Sequence, residues 1–224
     1  MTLLAIFTLL LRHLSQENDL VIGISAAGQL AWGWKNLVGY CVNVLPVRFR
    51  RQKETFYEYL KAVKQELLNS YQHQSYPYSQ LLQKLNLKRD PSRPPLIHVQ
   101  FNLDKFGEEL NFANLEVNPV LNFSGATRRD LTWNLAETKG DLRLNATYNA
   151  DLFKPETIDN WIAKFTTILP IVVQQPDISL DDISQHFREL EQQKQHKKAE
   201  KFQAIAQQKL KRVQRKTLKQ DEVN

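Results

Sequence analysis

The sequence predicts a mixed α/β domain, and three patterns carry that prediction. Phe56, Tyr59, Leu60, Val63, Leu67 and Leu68 recur at helical spacing with Lys and Glu opposite, so residues 55–71 form an amphipathic helix. Residues 97–103, 130–136 and 141–148 read as strands. Helices and strands interleave without the strict rhythm of a parallel βαβ protein, which points to an α+β arrangement.

The other elements follow in chain order. Residues 1–15 are apolar, lack Gly and Pro and end on polar residues, which makes them a buried helix. Their apolar run, Leu3 through Leu11, is shorter than the ~20 residues that cross a bilayer. With no Lys or Arg ahead of it and no cleavage pattern behind it, it does not fit a signal peptide either. Residues 19–24 form a short β-branched strand and residues 28–34 a loop. Residues 42–49 form a second strand, in which Pro46 requires an edge or a bulge. A short helix at 79–85 precedes a proline-punctuated loop at 88–95, and a further strand is predicted at 115–121. Lys139-Gly140 turns the chain between the paired strands 130–136 and 141–148. Pro155 opens a helix at its first turn, continuing over 157–173. Residues 181–218 are helix-forming but mostly polar, with a thin apolar set at Phe202, Ile205, Leu210 and Val213. Such a helix buries too little to be firm alone and reads as a linker or partner-seeking arm.

Composition narrows the function. At 42% hydrophobic and 24% charged residues the chain is an ordinary globular protein, and 224 residues suit one domain or one and a half. The single cysteine, Cys41, rules out an internal disulfide and reads as a small buried hydrophobe in a reducing cytosol. Neither Cys41 nor the five histidines show metal-ligand spacing, so no metal is expected. A Gly-x-Ser-x-Gly nucleophile elbow and a phosphate-cradling Gly-rich loop are both absent. The net charge of +6 sits in the tail: residues 186–224 hold eleven Lys/Arg against five Asp/Glu, leaving 19 of each in 1–185. A neutral globular part and a tail without interleaved aromatics argue against nucleic acid as a partner. The expected division is a domain at 1–185 and a basic helical tail at 186–224, in a cytoplasmic protein that does not span a membrane.

Three stretches then occur in a telling order. Leu37-Val38-Gly39-Tyr40-Cys41-Val42-Asn43-Val44-Leu45-Pro46-Val47-Arg48 is similar to "I-G-x-F-V-N-T-L-x-x-R". His73-Gln74-Ser75-Tyr76-Pro77-Tyr78-Ser79 is similar to "H-Q-D-Y-P-F-E", and Arg89-Asp90-Pro91-Ser92-Arg93-Pro94-Pro95-Leu96 to "R-D-x-S-R-N-P-L". All three are motifs of the condensation domain of nonribosomal peptide synthetases, and weaker echoes follow at 124–132 and 148–153. The chain resembles the C-terminal half of that domain. The resemblance implies a chloramphenicol acetyltransferase-like lobe that faces a second lobe across a tunnel. Carrier proteins would deliver aminoacyl and peptidyl thioesters there on 4'-phosphopantetheine arms, and an amine would attack a thioester to form a peptide bond. In the family the chemistry depends on "H-H-x-x-x-D-G" in the N-terminal lobe. Here no two of His13, His73, His98, His186 and His196 are adjacent and no Asp-Gly pair occurs. The expectation is a partial domain that names no catalytic residue of its own and is not active alone. It would need an N-terminal lobe, or a neighbouring synthetase subunit, to complete it. The alternative is a non-catalytic interaction module or a truncated remnant that docks a carrier protein or neighbouring subunit.

The resemblance also nominates residues. Asn43 interrupts an apolar strand and either faces the tunnel or satisfies nearby backbone. Ser124, Gly125 and Thr127 match a segment that approaches the tunnel, though a plain turn fits as well. Gly39, His73, Gln74, Pro77, Arg89, Asp90 and Arg93 are expected to be structural members of the motifs, with His73 at a helix end and Asp90 and Arg93 fixing their loop. Pro94 stands where the family has Asn, which stiffens the loop and removes a backbone donor.

Overall fold

The computed structural model describes residues 1–28, 33, 36–50, 54–88, 90–105, 115, 125–138 and 141–221. Helix α1 (Thr2–Ser15) is buried almost all round: Leu4, Ala5, Ile6, Phe7, Leu9 and Leu10 all lie inside. An apolar helix with no solvent face has to be covered on several sides, and α1 sits at the centre of one hydrophobic cluster. Strand β1 (Asp19–Ala27) follows, then β2 (Val42–Arg50), α2 (Phe56–Gln72), α3 (Tyr78–Leu85) and β3 (Val99–Lys105). The chain continues through β4 (Leu131–Thr138), β5 (Asp141–Tyr148), α4 (Pro155–Gln174) and α5 (Leu180–Asp221).

The strands form one sheet in the order β2-β1-β3-β4-β5. β1 pairs antiparallel with β2 and parallel with β3, β3 pairs parallel with β4, and β4 pairs antiparallel with β5. β2 takes the edge among the described strands, the first of the two placements Pro46 allows, and Pro46 lies opposite Gly23. Arg48 and Arg50 keep that edge charged by sharing the carboxylate of Asp19 at 2.5 and 3.3 Å. Proline and paired charge are two devices that stop an edge strand from recruiting another chain.

The alternation along each strand sorts the sheet into two faces. Ile22, Ile24, Ala26, Leu45, Val47, Phe49, Phe101, Leu131, Trp133 and Leu135 are buried against the helices. The ring of Phe7 stacks 4.7 Å from Trp133 and 5.3 Å from Phe101, and Phe165 of α4 meets Trp133 edge-on at 5.1 Å. Helix α2 joins through Tyr59, whose hydroxyl lies 2.8 Å from Thr8 Oγ1. Thr55 caps α2 by accepting from Glu58 N. Gly23 sits on the other face of the sheet, where a Cβ would come within 2.7 Å of Ile97 and 3.2 Å of Val44. Only glycine lets the fully buried Ile97 lie flat on β1 there.

Most predicted elements occupy their expected places within two residues, with some corrections. Ile97 does not open β3; it is a buried anchor before the strand starts at Val99. Leu68 is exposed, so the apolar stripe of α2 is narrower than its spacing suggests. Cys41 precedes β2 and is only half-buried. Apart from Leu115, which is exposed, the strand predicted at 115–121 lies outside the described residues, as do the turn at 139–140 and most of the loop at 28–34.

Packing of the last helix extends beyond residue 185. Phe187 is buried and its ring lies 5.0 Å from that of His13, while Glu191 pairs with His13 at 3.0 Å and with Lys164. Among the described residues no helix is long and apolar enough to cross a membrane.

Candidate functional site

Hydrogen bonds stitch the three sequence motifs into one cluster, although some fifty residues of chain separate them. Asn43, in β2, donates from Nδ2 to the carbonyls of Gln74 (2.8 Å) and Tyr76 (3.0 Å), and its Oδ1 accepts from Val44 N (3.0 Å). Its register partner is the buried Ala26, so it sits on the helix-packed face. The amide therefore ties the first motif to the second and satisfies the turn that ends α2. From the second motif, the Tyr78 hydroxyl donates 2.6 Å to the carbonyl of Pro95 in the third.

The third motif stores strain. Leu96 has φ +62° and Ile97 N donates 2.7 Å back to Pro95, which closes a three-residue γ-turn. A positive φ costs a branched residue roughly 1–3 kcal/mol and persists only where its surroundings hold it. Tyr78 grips the turn on one side, and Arg129 donates to the carbonyl of Ile97 at 2.8 Å on the other. The result is that Ile97 drops onto Gly23. Within the same loop Asp90 accepts from Ser92 N (2.9 Å) and Ser92 Oγ (2.6 Å). These bonds, with Arg93 and His98 nearby, hold its carboxyl below the usual range. Leu82, Leu87, Lys88, Pro91 and Pro95 line an open groove between α3 and this loop.

His73 caps the end of α2 through its backbone and is exposed, and Pro77 precedes the first turn of α3 in an extended conformation. Gly39 is exposed, with open space around its α-carbon. Gly125 has φ +74°, a turn conformation that favours glycine. Thr127 donates its hydroxyl to the carbonyl of Arg129 (2.9 Å) and accepts from Arg129 N, which places Arg129 for its bond to Ile97. Arg89 and Ser124 lie outside the described residues.

Sequence reading missed the polar face of the sheet. Asn102, Asn134 and Asn145 stand directly opposite one another across β3, β4 and β5, and Gln100, Thr132 and Thr147 form the next row. Gln100 reaches across to Ser25 Oγ at 2.9 Å. The helices cover the other face; on this one Gln100, Asn102, Thr132, Asn134 and Thr147 are half-buried and Asn145 is exposed. The signal was present as polar residues at every second position of strands with an apolar partner set.

Among the described residues, the first motif also carries the most exposed large apolar side chains. Val38 is 98% and Tyr40 89% exposed, flanked by Leu37 and Val42. A contiguous patch of this kind drives association. A Val38→Ser/Tyr40→Ser variant is expected to shift sedimentation towards monomer with an unchanged melting temperature; an unchanged sedimentation profile would show that the patch is inert.

The condensation-domain family model matches residues 1–215. Tyrocidine synthase 3 of Brevibacillus parabrevis is 34% identical over 185 residues, covering 82% of this chain and 3% of that protein. Gramicidin S synthase 2 of Brevibacillus brevis is 33% identical over 191 residues, with 82% and 4% covered. The solved condensation domain of the monacolin K polyketide synthase MokA superposes with a TM-score of 0.69 at 23% identity, covering 80% of this chain and 42% of that one. A four-domain nonribosomal peptide synthetase bound to AMP and glycine gives 0.72 at 24% identity, with 80% and 15% covered. The chain thus spans a small part of the curated relatives and under half of a solved condensation domain, with the mixed α/β fold of such domains. By its match over nearly the whole length, the chain belongs to the condensation-domain family found in nonribosomal peptide synthetases.

Proposed function

We propose that this chain is the C-terminal lobe of a condensation site and forms one wall of its tunnel, the other lobe bringing the histidine. The observation that carries the reading is the union of three family motifs in one hydrogen-bonded cluster beside a sheet whose second face is lined with amides. In this reading the acceptor amine attacks the carbonyl of the donor thioester, the C–S bond breaks, and the donor thiol leaves as the amine loses its proton. The half-reactions meet because both substrates are tethered on the phosphopantetheine arms of carrier proteins, and holding reactants together can supply much of a rate enhancement. Asn43, Tyr78 and Arg129 act as positioning residues that keep the motif loops in register. The Gln100 and Asn102 rows give hydrogen-bonding partners to an amide-bearing arm. The exposed run at Leu37, Val38 and Tyr40 meets the partner lobe, and the reducing cytosol suits both the thioesters and Cys41.

Reconstitution tests this. The chain is mixed with a lobe carrying His-His-x-x-x-Asp-Gly and two loaded carrier proteins, and the acceptor carrier is read by mass spectrometry. Dipeptide should accumulate only when both lobes are present, and should vanish when the second histidine of the partner motif becomes alanine. Failure of the lobes to bind, with no dipeptide, would sink the reading.

A further inference from the structure

The far half of α5 is chemically unlike the rest of the molecule. Of residues 192–221, ten are Lys or Arg and two are Asp or Glu. Plotted at 100° per residue, all ten cations fall within an arc of about 160°, and both carboxylates, Glu200 and Asp221, lie outside it. This is the same side of the helix on which Leu180, Ile183 and Phe187 are buried against the body. In the sequence this arc therefore turns from apolar to mostly cationic just past Glu191, with Ala204 and Ile205 the apolar residues that also fall within it.

A helix that merely runs on into solvent has no reason to sort its charges. Sorting them is unfavourable in a helix, because like charges recur at i,i+3 and i,i+4 spacing in the sequence, as at Lys197/Lys201, Arg212/Lys216 and Arg215/Lys219. Such repulsion is relieved by an anionic partner laid along the face. Beside the cationic arc runs a second feature: Ala199, Phe202, Ala206, Leu210 and Val213, spaced 3-4-4-3, with Phe202 exposed. Eleven-residue spacing keeps such a stripe straight along an α-helix. Two of its five members are alanines, which allow close backbone approach but would bury little in acyl chains. Nucleic acid would use the charge and leave the stripe without a role. A charged face flanked by a narrow apolar seam is the pattern of a helix that pairs with another helix. The anchoring of α5 by Phe187 and by the Glu191 pair with Lys164 and His13 holds the base of this arm.

We propose that residues 192–219 are a docking arm for an acidic amphipathic helix of another protein. That helix packs apolar residues on the Ala199–Val213 seam and places its carboxylates over the Lys/Arg face. The inference is independent of catalysis.

The test uses the full chain and a labelled 28-residue peptide with Leu and Ala at 3-4-4 spacing and Glu on the adjoining face. Its comparisons are a scramble of the same composition, vesicles of mixed phosphatidylserine and phosphatidylcholine, and duplex DNA. The matched peptide should bind at least about tenfold tighter than the scramble and weaken at least about tenfold between 0.05 and 0.3 M NaCl. Lys209→Gln/Arg212→Gln/Lys216→Gln and Phe202→Gln/Leu210→Gln should each weaken it about tenfold, while thermal unfolding of the body stays unchanged. The proposal is overturned if the peptide does not bind or binds no better than the scramble. It is also overturned if the Phe202/Leu210 variant keeps full affinity, or if vesicles or DNA bind more tightly than the peptide.

Discussion

A Trp133→Ala variant is expected to lose about 3–5 kcal/mol of folding stability, the range for removing a large aromatic from a packed core. Trp133 is fully buried in the middle of β4, under the ring of Phe7 at 4.7 Å and against the edge of Phe165 at 5.1 Å. It is thus the point where α1, α4 and the sheet meet. Domains of this size have roughly 5–15 kcal/mol in hand, so the loss takes a large share of it. The indole Nε1 is itself buried, and among the described residues no group accepts its hydrogen. Trp133→Phe removes that orphan donor while keeping most of the ring, so the conservative variant should stay within about 1 kcal/mol of the parent. Urea unfolding of the pair measures both. Equal losses for Ala and Phe would mean that a phenyl ring recovers none of the packing and that the full indole is required at this position.

The second large effect concerns the anchor of α5. Lys164 is 2% exposed in α4 and pairs with Glu191, whose carboxylate also meets His13 at 3.0 Å. Glu191→Leu leaves a buried ammonium without its counter-charge, which costs about 3–5 kcal/mol for a fully buried pair. Because the carboxylate is 39% exposed, the expected loss here is discounted to about 2–3 kcal/mol. Adding Lys164→Met to that variant should restore most of it, since an apolar pair of similar volume often replaces a buried ion pair without loss. Burial opposes ionisation of Glu191, but hydrogen bonds from Lys164 and His13 and their charges outweigh it and hold its carboxyl below the usual range. A carboxyl lowered in the folded state stabilises above its unfolded pKa, and that stability is lost as pH falls through the folded value. Melting temperatures from pH 7 down to pH 3 should therefore fall less steeply for Glu191→Gln than for the parent; parallel curves would exclude this pair as the source of the acid sensitivity.

The motifs of the candidate site were legible in the sequence, but their joint purpose was not. Asn43 stood out as an amide in an apolar strand. Its partners, the carbonyls of Gln74 and Tyr76, lie about thirty residues away and become neighbours only when α2 folds back over β2. Arg129 and Tyr78 carry no unusual local pattern, yet together they hold the strained turn at Leu96. The row of Asn102, Asn134 and Asn145 is visible only once strand register is known, because each strand alone shows no more than alternation.

The sequence by itself determined the elements, the family motifs and the basic tail. Period, capping residues, proline positions and charge distribution are local properties, and they set where helices and strands form and which side chains must be buried. Pro46 called for an edge or a bulge, and the largely apolar α1 for a buried helix, before any pairing was known. Only the tertiary structure decided which strands pair in parallel, that Gly23 exists to receive Ile97, and that the buried Lys164 finds its counter-charge on α5. Those outcomes depend on contacts between residues distant in sequence, whose energies appear only when the helices close over the sheet and exclude water.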